Sequence, residues 1–203
     1  IETIDDIKSA IRRLVSIAGR GDAEQAIARI DADLAATRDA VAGRIRPRVL
    51  LTMGRYPIGR GTFLDDCLTA AGGQNVCQFK GYAANPFGPE AIDSLAPQII
   101  IDLVEQKQAS PAELAARRET WRSCVHSPAV IGGRIYPVCD PSLTIPDVHV
   151  GQSAMKLARL IHPEAFQQPP VATTQSDSGE PTRTRARAEA PATWRTPATE
   201  PHD

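Results

Sequence analysis

Strands alternating with helices predict an α/β fold: a mostly parallel sheet with helices on both faces, preceded by a long backbone helix and followed by a disordered tail. Three observations carry this. Arg48 to Met53 (RVLLTM) and Gln98 to Leu103 (QIIIDL) are almost continuously aliphatic, as strands buried on both faces are. Apolar residues at helical spacing precede and separate them. From Gln168 to Asp203 the large apolar residues fall away to Val171 and Trp194, so this segment cannot bury enough surface to offset its ordering entropy.

The elements follow in order. Ile4, Ile7, Ile11, Leu14 and Ile17 mark a first helix, stopped by Gly19 and Gly21. Asp22 caps a second, with Gln25 three residues on. Its stripe of Ala26, Ile27, Ile30, Leu34 and Val41 implies about 20 residues, roughly 30 Å by the helical rise. The strand Arg48 to Met53 leads to a helix over Thr62 to Ala71, closed by Gly72-Gly73. Val76 to Phe79 reads as a second strand. Pro89 to Leu95 is a short helix with proline in its first turn. Gln98 to Leu103 is the clearest buried strand. Ser110 with Glu113 forms a capping box for a helix to about Cys124. Ile131 to Val138 reads as a strand entered through the Gly132-Gly133 turn, and a last helix spans Val148 to Ile161.

Composition narrows the function classes. The 203 residues carry a net charge of −1, so bulk charge points to no nucleic acid and no acidic partner. No run of 18 apolar residues exists to span a bilayer as a helix. The chain opens at Ile1 directly into a helical pattern, which reads as a processed or truncated piece. In the tail, Arg183, Arg185 and Arg187 are offset by nearby acids, which favours a solvated segment over an anionic-surface patch.

The stretch GRGTFLDDCLTAAGGQNV, residues 59–76, raises the question of a nucleotide loop. A dinucleotide fingerprint needs a third glycine where Leu64 stands, and a P-loop needs a lysine that is missing here. Ligands of open α/β sheets bind outside the carboxyl ends of the strands. Three loops fall there: Gly54 to Gly61, Lys80 to Gly88, and Asp140 to His149. They carry Arg55, Tyr56, Arg60, Tyr82, Phe87, Asp147 and His149, with Asp140. Three of the seven Phe and Tyr residues sit in two of these loops. Aromatics in loops either face a ligand or tuck back on the core. Arg55 and Arg60 suit an anionic group.

GRGTFLDDCLTAAGGQNV, then GPEAIDSLAPQIIID, GGRIYPV and LARLIHPEAF, in that order, resemble the C-terminal lobe of the helical-backbone (class III) solute-binding proteins. These serve ABC importers of cobalamin, ferric siderophores and haem. The opening 37 residues are similar to that family's inter-lobe region, with its rigid helix at about Ala23 to Ala42. The resemblance covers roughly residues 3–166. It implies an inter-lobe helical region over 1–45, a C-terminal solute-binding lobe over 46–167 and a tail over 168–203 with no counterpart. It further implies an extracytoplasmic, monomeric binding protein without a resident cofactor. Its ligand would be a metal chelate carrying cobalt or iron, delivered to a membrane permease. Gly59 and Gly61 would shape a loop facing that chelate. Glu90 matches the family's glutamate that docks on a permease arginine. The other wall of the cleft would come from a lobe outside this chain. The third loop carries Ile145-Pro146-Asp147-Val148 where relatives carry Pro-Gly-Pro-Arg.

Cys67, Cys77, Cys124 and Cys139 form no C-x-x-C pair. In an oxidising compartment the short-range bridges Cys67–Cys77 and Cys124–Cys139 are expected, with buried free thiols as the alternative. Catalysis finds little support. Cys124 and His126 lack an orienting acid, and Asp65 and Asp66 diverge by about 100° on their helix. The rival function is haem or metal-ion binding through Tyr82, Asp140, Asp147 or His149.

Overall fold

The computed structural model describes residues 2–106 and 108–167; the expected tail lies outside them. The first helix, α1 (Ile4–Ala18), starts at a capping box between Thr3 and Asp6 and stops at Gly19, whose φ of 62° is left-handed. The second, α2 (Ala23–Ala40), begins where the Asp22 side chain accepts the Gln25 N–H, and its 18 residues span about 27 Å. Only Ile4, Ile7 and Ile11 of the α1 stripe are buried. Leu14 and Ile17, farther along the helix, are 65% and 81% exposed.

The sheet has five strands among the described residues. Strand β1 (Arg48–Met53) is the hub. It runs parallel to β4 (Ile99–Leu103), which is in turn parallel to β5 (Ile135–Val138). The other edge of β1 is shared. Strand β3 (Gln74–Asn75) pairs in parallel with its start, and β2 (Tyr56–Pro57) pairs antiparallel with its end. Between β2 and β3 lies α3 (Phe63–Ala70). Its end is a Schellman turn, with Gly72 donating to Thr69 and Gly73 to Leu68 at 3.2 and 3.0 Å.

The remaining helices are α4 (Pro89–Ser94), α5 (Pro111–Cys124), α6 (Pro128–Ile131) and α7 (Val150–Ile161). Strand alternation sorts them into two layers. Val49, Leu51, Ile99, Ile101 and Leu103 face α1, α2, α3 and α7. Leu50, Ile100 and Ile135 face the layer that supplies Ile92, Trp121 and Ala129. The α/β expectation therefore holds, with helices on both faces of a mostly parallel sheet.

Two strand boundaries move. The strand expected at Val76–Phe79 is only Gln74–Asn75. The Asn75 side chain accepts the Cys77 N–H at 3.0 Å and donates to Ile58 O at 3.0 Å, which turns the chain out of the sheet. The strand expected from Ile131 begins at Ile135. Pro128 starts the single turn α6 instead, anchored by Ala129 N–H to Pro97 O at 2.9 Å.

The expected disulfides are absent, and the four thiols are free. Cys67 lies in the core on one face of the sheet and Cys77 in the core on the other. Cys124 Sγ turns back to Thr120 O at 3.0 Å, while Cys139 Sγ donates to Gln106 O at 3.1 Å. Burial pushes the Cys67 thiol up to about 12 and the Cys77 thiol up to about 11, so both stay protonated.

Candidate functional site

A cavity of about 530 Å³ opens at the carboxyl ends of β1 and β4, where ligands of α/β sheets bind. Met53, Leu103 and Val104 give it an apolar floor. Arg55, Tyr56, Tyr82 and Glu105 stand around its rim, and Arg117 reaches in from α5. Both tyrosines are 48% exposed, so neither is committed to the core. Burial, then the charge of Glu2, pushes the Tyr82 hydroxyl pKa up.

The turn carrying Arg55 and Tyr56 is held from several sides. Gly54 has φ 60°, a left-handed conformation that favours glycine. Its N–H donates to Asp102 Oδ1 at 2.9 Å, and its carbonyl accepts Thr52 Oγ1 at 2.6 Å. Phe87 N–H reaches back to Arg55 O at 2.7 Å, joining the second aromatic loop to the first.

Beneath the turn sits a group that the motif reading passed over. Asp102 is the only charged residue of β4 and is fully buried. Strand parity turns it toward α5. There it accepts Arg117 Nε at 2.6 Å and Nη2 at 3.2 Å, and the Trp121 indole N–H at 2.9 Å. With the Gly54 bond this fills its acceptor sites, as a buried carboxylate requires. A signal was present: a lone aspartate inside QIIIDL has to find a cation, since buried charges are almost always paired.

The structure brings Arg55, Tyr56 and Tyr82 together and separates the other expected contacts. Arg60 lines a different cavity, of about 460 Å³, with Arg46 and Asn75. Phe87 tucks back on the core, its ring 5.9 Å from that of Phe79. Asp147 accepts the His149 N–H at 2.7 Å in a local turn before α7, and neither residue lines the cavity. Asp140 pairs with Lys156 at 2.6 Å. Glu90 is exposed in the first turn of α4. A Cβ at Gly59 would collide with the Phe79 carbonyl, so glycine there lets two loops approach. A wider cavity of about 710 Å³ lies at the opposite, amino end of the strands, beside Pro47, Gln98 and Arg134. Among the described residues it gathers no Phe, Tyr or Trp side chain, and His162 is its one aromatic ring.

The chain is thus a mostly parallel sheet covered on both faces, with a cavity lined by tyrosines and arginines at its carboxyl edge. Several solved structures share this fold. The periplasmic haem-binding protein RhuT from Roseiflexus sp. RS-1 (apo form) aligns with a TM-score of 0.65 at 22% identity, over 80% of this chain and 64% of that one. An ABC transporter substrate-binding protein from Listeria monocytogenes EGD-e gives 0.67 at 21%, over 80% and 66%. A periplasmic haem-binding protein from Pseudomonas aeruginosa gives 0.66 at 23%, over 80% and 61%. This chain thus spans less than two thirds of their length. The fold implied by the sequence resemblance is the fold of these binding proteins, none of which is described as an enzyme. No family model and no curated protein sequence matches the chain.

Proposed function

We propose that this chain is the C-terminal lobe of an extracytoplasmic solute-binding protein of an ABC importer. Its cavity forms one wall of a cleft for a bulky metal chelate, such as cobalamin or a ferric siderophore, which is delivered to a membrane permease. The function is binding and release, without catalysis. The observation that carries the reading is the cavity at the carboxyl ends of β1 and β4, where Tyr56, Tyr82, Arg55 and Arg117 converge on an apolar floor. Such a wall supplies shape, ring faces and a few polar anchors, as ligand sites do. Glu90, exposed on α4 beyond the aromatic loop, is the proposed contact to the permease.

The second reading is haem held through tyrosine ligation of its iron. Tyr56 and Tyr82 sharing one cavity favours it. The upward shift of the Tyr82 hydroxyl opposes it, because ligation by the phenolate needs the proton removed.

One wall leaves about half of a chelate in water, so binding to this chain is expected to be weaker than micromolar. Calorimetry of the 203-residue chain against cobalamin, a ferric siderophore and haem tests it. Submicromolar binding overturns the single-wall reading, and no heat with any of the three at millimolar concentration overturns the function. A haem absorption band that disappears in Tyr82→Phe would establish ligation instead.

A further inference from the structure

We infer that Arg117, set in place by buried Asp102, is the residue that selects a carboxylate-bearing periphery on the ligand. The inference rests on the solute-binding reading above and names the chemistry that its cavity prefers.

The geometry starts from the way the guanidinium is held. Asp102 takes Nε and Nη2 side-on. The remaining nitrogen, Nη1, makes no hydrogen bond among the described residues, and the side chain is 35% exposed where it lines the cavity. A planar fork fixed along one edge presents its other edge at a set angle, which suits an anionic oxygen pair better than a free chain end would. The hold is rigid at both ends. Asp102 is fully buried and accepts the Trp121 indole N–H and the Gly54 N–H as well. A Cβ at Gly54 would stand 3.4 Å from Arg117 Nη2, so the guanidinium lies against the backbone of the same turn that carries Arg55.

Two cations therefore border one cavity. Asp102 neutralises the charge of Arg117 in the ground state without occupying its free edge. Glu105 is exposed at the rim, where water screens it. The arrangement explains why a charged residue sits inside a buried strand: it aims an arginine whose own helix, α5, lies on the outer layer.

The test varies the ligand before the protein. Haem carries two propionate carboxylates, and its dimethyl ester has the same ring and metal without them. Binding of each to the full chain is followed by calorimetry and by the NMR shift of the Trp121 indole N–H. The acid is expected to bind at least tenfold tighter than the ester. In Asp102→Asn/Arg117→Gln, which removes the buried charge together with its partner, that preference should fall to about twofold, while the melting curve stays within a few degrees. Arg117→Lys, which keeps the charge but loses the side-on fork, should fall between. Equal affinities for acid and ester in the wild-type chain overturn the inference and leave the solute-binding reading standing. So does a preference that survives in the double variant, or a loss that is equal for both probes. Absence of binding by both probes, by cobalamin and by a ferric siderophore overturns the solute-binding reading, and the inference with it.

Discussion

Replacing Asp102 by alanine removes four hydrogen bonds at once, from Gly54, Trp121 and two nitrogens of Arg117. Deleting one partner of a buried ion pair costs about 3–5 kcal/mol. Here the guanidinium is 35% exposed, so water recovers part of that cost and the pair accounts for about 2 kcal/mol. The Trp121 indole is 4% exposed, and its orphaned N–H adds about 1–3 kcal/mol. The expected loss is about 3–5 kcal/mol, a large share of the 5–15 kcal/mol typical of a domain. Urea unfolding followed by circular dichroism measures it, with an unchanged slope showing that the unfolded state is the same. At about 2–4 °C per kcal/mol for a chain of this size, the melting point should fall by roughly 10 °C. A loss under about 1 kcal/mol would refute the claim that this network ties the Gly54 turn to β4 and α5.

Four further outcomes follow from other parts of the chain. Gly59→Ala should lower stability by about 1–3 kcal/mol, because its Cβ meets the Phe79 carbonyl; a neutral result in the same urea assay would show that the loops can part freely. Asp66 has its pKa raised, first by burial and then by Asp65, Asp5 and Asp6, so its folded form favours the proton and its penalty is present at neutral pH and fades as pH falls toward the carboxylate range. Asp66→Asn should therefore raise stability at pH 7 and gain less at pH 4; an equal gain at both would refute the charge argument. Cys67 and Cys77 should resist a thiol reagent in the native state at pH 8, and all four thiols should react after unfolding without reductant; fewer than four by mass spectrometry would reveal a bridge. Glu90→Lys should leave the fold and ligand affinity intact while uptake into vesicles bearing the cognate importer drops sharply, since a like-charge contact at an interface is costly; unchanged uptake at equal binding-protein concentration would sink the docking role.

The sequence by itself determined what depends on neighbours a few residues away. The caps at Asp22 and Ser110, the Gly72-Gly73 stop and the buried runs around Leu50 and Ile100 could be read directly. Each is set by backbone chemistry within one turn or one strand. The placement of Arg55, Tyr56 and Tyr82 near the carboxyl ends of the strands was legible for the same reason, since a loop after a strand has only one end to occupy. Only the tertiary structure decided which partners meet. Helical spacing put Leu14 and Ile17 on the stripe of Ile4 and Ile7, but not how far along that stripe another element would lie. Sequence proximity suggested Cys67 with Cys77, and the sheet passes between them. Phe87 had two surfaces open to it and chose Phe79. Asp102 shows the division most plainly. A charge in a buried strand demands a partner, yet that the partner is Arg117, 15 residues on, follows from strand parity and from the crossover that lays α5 on that face of the sheet.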